Sequence, residues 1–207
     1  MNPPRRTRIP VVLAVVLLVG LLAGGGVVAW QVWGTVAPAR ERAAREVAAI
    51  RQGWEQGGAA PAGEAAWILH IPALGEQEWP IRAGVAEAQL DGGFGWYPGT
   101  AEPGEVGNFA VAGRWLTGGE PLRGWFELPV GSQVRVETAT EVLTYELTLA
   151  PGGLTVGRDE AWVLEPVPGR GDETATQAWL TITTNEDFFP GPEVAVAFGK
   201  LTDKEMK

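Results

Sequence analysis

The residues best suited to catalysis or ligand binding are concentrated in the stretch WLTITTNEDFFPG, residues 179–191. Its first six residues predict a strand, and the chain then turns acidic and aromatic at Asn185, Glu186, Asp187 and Phe188. An asparagine after a strand commonly closes a turn, and neighbouring carboxylates there are commonly solvated. Two chemical alternatives stay open, namely a hard-cation site built from these oxygens and an acid–base pair for hydrolysis.

Missing residue types exclude several kinds of site. The 207 residues contain no cysteine, which excludes disulfides, thiolate metal sites and thiol catalysis together. His70 is the one histidine and Ser132 the one serine, so a Ser-His-Asp site would need these two residues to meet. Because His70 alternates with apolar residues, we interpret it as a structural residue of a strand. We predict no metal and no cofactor.

The charge balance excludes a further class of partner. The formal net charge is −9, whereas proteins that bind nucleic acid concentrate Lys and Arg on one face to neutralise phosphates. We therefore predict no nucleic-acid partner.

The elements that must position these residues begin after an apolar N-terminal segment. Residues 9–34 carry no charge and are long enough for a transmembrane helix, which needs ~20 residues. Basic residues before this segment predict a cytoplasmic N-terminus over residues 1–8 and an extracytoplasmic C-terminal domain. The residues expected to flank this single-pass, uncleaved anchor are Arg5, Arg6, Arg8, Trp30 and Trp33.

Residues 35–56 are rich in Ala, Arg and Glu, with apolar residues at spacings of three and four, and they predict a stalk helix. This helix is expected to be a solvated spacer or, alternatively, a packing face for a partner helix. Residues 57–66 have the composition of a flexible linker. From residue 67 to residue 201, short apolar runs broken by Gly and Pro predict a mainly β domain, a barrel or a sandwich, before a polar tail at 202–207.

Three strings give this domain a likeness to a known family. They are ILHIPAL in the first strand, GFGWYPGTAEPGEVGNFAVAG at residues 93–113, and WLTITT before Asn185. With these strings the chain resembles the sortases, most closely the class E sortases of high-GC Gram-positive bacteria. The resemblance implies a closed eight-stranded β-barrel, a membrane anchor, and cleavage of a sorting signal with transfer to an amine.

The resemblance also implies three catalytic positions, and this chain differs at each. Arg114 stands where the family has His, Asn185 where it has Cys, and Val194 where it has Arg. An amide is not a nucleophile comparable to a thiolate, and arginine keeps its proton where histidine would exchange it. Valine has no donor for an oxyanion. We therefore predict that the protein is not an enzyme.

If the family's groove survives, its floor would contain Arg114 and Asn185, with Trp115, Glu186, Asp187 and Phe188 beside them. Arg114 would then form a local ion pair or, alternatively, bind an acidic or C-terminal carboxylate ligand. The predicted function is a catalytically inactive, sortase-like binding, scaffold or accessory subunit of a cell-envelope complex, with a protein partner and a peptide as the candidate ligand. The alternative is an enzyme of altered, non-thiol mechanism that acts on peptides in the same groove.

Overall fold

The structure is a computed structural model that describes residues 13–20, 36–58, 65–185 and 191–207. From residue 36 onward, the described residues form nine strands and two α-helices. The helices are α1 (Val36–Glu55) and α2 (Glu87–Leu90). The strands are β1 (Ala65–His70), β2 (Glu78–Ala83), β3 (Phe94–Trp96), β4 (Gly107–Gly113), β5 (Gln133–Glu137), β6 (Glu141–Leu149), β7 (Thr155–Gly157), β8 (Ala178–Thr184) and β9 (Glu193–Met206). Short 3-10 turns lie at Pro72–Leu74, Trp125–Glu127 and Ala161–Leu164.

Eight of these strands close into a barrel. The order around the ring is β6-β5-β1-β2-β3-β4-β8-β9, and a further pairing between β9 and β6 completes it. The strand β9 has 14 residues and reaches both β8 and β6, while β7 adds to the start of β9. The β2–β3 and β4–β8 pairs are parallel and the others antiparallel. The predicted closed eight-stranded β-barrel is therefore confirmed.

The barrel interior follows from the period-two pattern of the strands. In β5, Val134 and Val136 are buried between exposed or half-buried neighbours, and in β6 the same holds for Leu143, Tyr145 and Leu147. In a strand, successive side chains point to opposite faces, so this alternation places one set inside the barrel. Burying apolar area at about 25 cal/mol per Å² is the main stabilising contribution to such a core.

The helix α1 packs on the outside of the barrel. Ala39, Ala43 and Val47 are buried, and their spacing of four places them on one face of the helix, against β1 and β2. Arg51, near the C-terminal end of the helix, donates to Glu78 on β2 at 2.6 Å and to Glu137 on β5. Small side chains on one face let the helix lie close to these strands.

The predicted membrane anchor is not found in the described part of the chain. Of residues 9–34, the structure describes a helical segment at 13–20, about 12 Å long at ~1.5 Å per residue. Among the described residues, no helix is long and apolar enough to cross a bilayer. This finding corrects the predicted single-pass localisation. The rest of that segment, with Arg5, Arg6, Arg8, Trp30 and Trp33, lies outside the described residues.

Candidate functional site

Two neighbouring strands bring the sequence-predicted positions to one edge of the barrel. The strands β4 and β8 run parallel, and their register pairs Ala112 with Thr183. Parallel strands end at the same edge, so Arg114, which follows β4, and Asn185, which follows β8, leave the sheet side by side. The edge where these strands end is called the β4/β8 edge below.

Arg114 lies against the loop that follows its own strand. Its Nη1 donates to the Thr117 hydroxyl at 3.4 Å, and its Nη2 donates to the Glu87 carbonyl at 3.4 Å. Its backbone carbonyl accepts a hydrogen bond from the Leu122 N–H at 3.1 Å. No carboxylate contacts Arg114 among the residues that the structure describes. The carboxylates expected to pair with Arg114 within this chain, Glu186 and Asp187, lie outside the described residues, so that ion pair stays a prediction.

Trp115, the next candidate, packs within the same loop region. Its ring meets the ring of Phe126 edge to face, with centroids 5.0 Å apart and planes at 86°. Such T-shaped pairs stabilise by ~0.5–1.5 kcal/mol beyond the area they bury. The other predicted groove residues, Glu186, Asp187 and Phe188, lie outside the described residues.

Asn185 is held by an arginine that the sequence reasoning missed. Nη2 of Arg158 donates to Oδ1 of Asn185 at 2.6 Å and to the Gly191 carbonyl at 3.0 Å. Nε of Arg158 also donates to Gly191 at 3.3 Å, and its backbone N–H donates to the Pro192 carbonyl at 2.8 Å. One guanidinium therefore links the end of β8 to the chain that enters β9.

Val194 lies on β9 beside this pair. The β8–β9 register pairs Thr184 with Ala195, so the next step along the ladder places Val194 opposite Asn185. Val194 is 7% exposed and packs with Val156, Val163 and Val196 in a small apolar cluster. The position that the resemblance gives to the family's arginine is therefore occupied here by a buried, apolar side chain.

Arg158 comes from the strand on the other side of β9. The β7–β9 register pairs Val156 with Val194 and Gly157 with Glu193, and Arg158 follows immediately. A cation thus reaches Asn185 from β7, although the sequence leaves valine on β9. No local motif identifies Arg158, because 27 residues separate it from Asn185 and strand pairing alone brings them together.

Beneath Asn185, the same face of β8 carries a hydrogen-bonded row of threonines. Thr183 shares a 2.9 Å hydrogen bond with the hydroxyl of Tyr97, which belongs to the YPGTA string. Thr181 donates to Oδ1 of Asn108 at 2.8 Å, and Nδ2 of Asn108 donates to the Val163 carbonyl at 3.0 Å. Because buried polar groups cost free energy unless they are paired, this network makes a fixed floor for the β4/β8 edge.

The described residues include no group of three or more His, Cys, Asp and Glu side chains that could hold a metal ion. His70, at the end of β1, makes a 2.9 Å hydrogen bond to the Gly75 carbonyl through Nε2. This contact belongs to the turn that follows β1 and not to the β4/β8 edge. The chemical character of that edge is set by an amide, two guanidinium groups and hydroxyls.

Comparison with known proteins identifies the domain. The sortase domain matches residues 69–202. The chain is 29% identical over 192 residues to Sortase SrtE1 of Streptomyces coelicolor, covering 87% of this chain and 53% of that protein. This chain therefore spans about half the length of that curated relative.

Solved structures agree with this match. Sortase E from Streptomyces avermitilis is 27% identical with a TM-score of 0.62, over 70% of this chain and 93% of that one. Sortase E1 from Streptomyces coelicolor, with a tripeptide in its active site, is 28% identical with a TM-score of 0.61, over 71% of this chain and 94% of that one.

These comparisons contradict the prediction that the protein is not an enzyme. The matching domain and relatives are all named sortases, which is the name of an enzyme family, and one of them has an occupied active site. This chain differs from what the resemblance implies in having no cysteine.

Proposed function

This chain belongs to the sortase family, and from that premise we propose that it binds a peptide segment of a partner protein at the β4/β8 edge. In this role it acts as a binding or accessory subunit of a protein complex. The proposal concerns recognition of the peptide, and it draws on the part of the family's architecture that this chain retains.

The observation that carries the proposal is the parallel pairing of β4 with β8, which places positions 114 and 185 side by side. The Tyr97–Thr183 hydrogen bond fixes the floor below them. Sites built on paired strands hold their side chains more firmly than sites on loops. The tripeptide in the active site of the Streptomyces coelicolor relative supports a peptide as the ligand class.

The cysteine reaction is not available to this chain as it stands. It has no cysteine, and Asn185 stands at the position that the family resemblance gives to the nucleophile. The lone pair of an amide nitrogen is delocalised into the carbonyl, so it does not attack a peptide carbonyl as a thiolate does. What the β4/β8 edge offers instead is a set of hydrogen-bond donors.

The test of this role is affinity purification of the full-length protein, with identification and stoichiometry of co-purifying proteins. We expect a stoichiometric companion that is lost on Asn185→Ala and on Arg114→Ala. Arg135→Ala is the matched control, because Arg135 is an exposed arginine on β5, four strands away from β4 around the ring. A companion retained by all three variants would contradict binding at the β4/β8 edge.

A second candidate function is peptide turnover by a non-thiol mechanism, which the enzyme names of the relatives favour. The full-length protein is incubated with candidate sorting peptides and an amine acceptor, and the products are followed by mass spectrometry. Cleavage or transfer that disappears in Asn185→Ala or Glu186→Ala would establish turnover. Peptide binding without a product would support the binding role.

A further inference from the structure

We propose that Arg158 and Asn185 form a carboxylate-binding site for the peptide ligand. This inference rests on the proposed function and names the chemical group that the β4/β8 edge recognises.

The hydrogen bond between the two side chains determines which atoms Asn185 offers to a ligand. A guanidinium carries five N–H donors and no acceptor, so the atom of Asn185 that meets Arg158 at 2.6 Å must be Oδ1. The amide is planar, and its Nδ2 therefore points away from Arg158 with two N–H donors. Asn185 has thus used its side-chain acceptor internally and presents donors.

Arg158 also keeps donor capacity. Its Nε and Nη2 are used by the Gly191 carbonyl and by Asn185, whereas its Nη1 has no acceptor among the described residues. The Arg158 side chain is exposed, so a ligand can reach it. Two donor groups from two side chains, joined by one hydrogen bond, therefore lie at the end of β8.

No described carboxylate forms an ion pair with Arg158, although Asp159 and Glu160 follow it in sequence. Arg158 meets three neutral oxygens among the described residues, those of Asn185, Gly191 and Pro192. Most other described arginines pair with a carboxylate, namely Arg40, Arg42, Arg45, Arg51, Arg82, Arg123 and Arg170. Arg158 thus differs from these in holding a positive charge over a neutral amide.

A carboxylate fits this arrangement better than a backbone carbonyl does. It brings a negative charge and two oxygens, one for the guanidinium and one for the Asn185 amide. Hydrogen bonds between ionised groups are roughly twice as strong as those between neutral groups. The carboxylate can come from the C-terminus of a peptide or from an Asp or Glu side chain, and the experiment separates these two sources.

The experiment uses the full-length, isotope-labelled protein and three small probes, followed by NMR of the Asn185 side-chain amide. The probes are N-acetyl-alanine with a free C-terminal carboxylate, N-acetyl-alanine amide with none, and N-acetyl-aspartyl amide with a side-chain carboxylate. We expect at least one acid to shift the Asn185 amide signals and to bind about tenfold more tightly than the neutral amide. The stronger acid identifies the source of the carboxylate.

Variants keep the inference falsifiable. Arg158→Gln should lose the preference for acids, read from the Asn185 side-chain amide. Asn185→Asp has no side-chain amide, so its binding is read from the side-chain N–H signals of Arg158; it should lose the preference as well, because the new carboxylate would pair with Arg158 and repel the probe. Asn185→Asp keeps the shape of the side chain and its contact with Arg158, so its folding is not at risk. Arg135→Gln is the control and should bind the acids as the unaltered protein does.

Equal shifts from the acids and the amide, no shift from any probe, or an unchanged acid preference in Arg158→Gln would each overturn the carboxylate site. Equal binding of acid and amide would still leave peptide binding at the β4/β8 edge in place. If Asn185→Ala loses the co-purifying companion and the unaltered protein shows no preference for acids, the binding role stands and the carboxylate site is refuted.

Discussion

Replacing Tyr145 with phenylalanine should lower the free energy of unfolding at neutral pH and, relative to the unaltered protein, raise it in strong alkali. Tyr145 is fully buried in β6, and its hydroxyl oxygen accepts a hydrogen bond from the Gly104 N–H at 2.8 Å. Without that acceptor the partly buried Gly104 N–H loses its partner, which costs about 1 kcal/mol. Burial raises the pKa of Tyr145 to about 12, and the hydrogen bond from Gly104 opposes this shift without cancelling it.

The raised pKa makes the contribution of Tyr145 depend on pH. The unfolded chain releases this proton near pH 10 and the folded chain near pH 12, so the stabilisation is complete below pH 10 and is lost as pH rises. From these two pKa values, the loss is about 1 kcal/mol at pH 11 and about 2 kcal/mol at pH 12. Since Tyr145→Phe has no such proton, the two stability curves should cross between pH 10 and pH 12.

The assay is urea unfolding followed by tryptophan fluorescence, for both proteins, at intervals between pH 7 and pH 12. Other titrating groups are common to the two proteins, so the difference between their free energies of unfolding isolates Tyr145. We expect this difference to change sign between pH 10 and pH 12. A difference that stays constant over this range would refute the reasoning from burial.

Three further predictions concern the stability of variants at Gly113, Gly53 and Glu137. Gly113→Ala should cost ~1–3 kcal/mol, because the new Cβ would lie 2.5 Å from a ring carbon of the buried Phe94. Gly53→Ala is the matched control in α1, where a Cβ meets nothing within 4 Å, and it should stabilise the protein by ~0.5–1 kcal/mol. Denaturant unfolding measures the stability of both variants. A Gly113→Ala protein as stable as the unaltered one would argue against close packing of Gly113 on Phe94. Burial alone would raise the pKa of Glu137, but its hydrogen bonds, led by those from Arg51, outweigh burial and hold that pKa below its usual range. The stabilisation that Glu137 contributes is therefore present above about pH 4.5 and is lost as pH falls. Glu137→Gln should therefore flatten the acid limb of the stability curve, and an acid limb identical to that of the unaltered protein would contradict the pairing.

The helix α1 illustrates how an amphipathic pattern leaves its partner open. The sequence predicted a helix at 35–56, and the structure contains one at Val36–Glu55. The pattern placed Ala43, Val47, Ile50 and Trp54 on one apolar face; the first two are buried and the other two half-buried. What covers that face could not be predicted, because a helical stripe records its own apolar side and not the surface it meets. The barrel supplies that surface, through β1 and β2.

The residue pattern by itself determined a mainly β domain and the absence of a thiol, while the closed barrel was implied by the family resemblance. Period-two runs broken by Gly and Pro specify strands locally, and the absence of cysteine is a matter of composition that no fold can change. The tertiary structure decided what surrounds Asn185. Arg158 reaches Asn185 through the pairing of β7 and β8 with β9, and the contact spans 27 residues of sequence. Contacts of this kind depend on strand order and register, which are set by the packing of the whole barrel and are not encoded in any one stretch of residues.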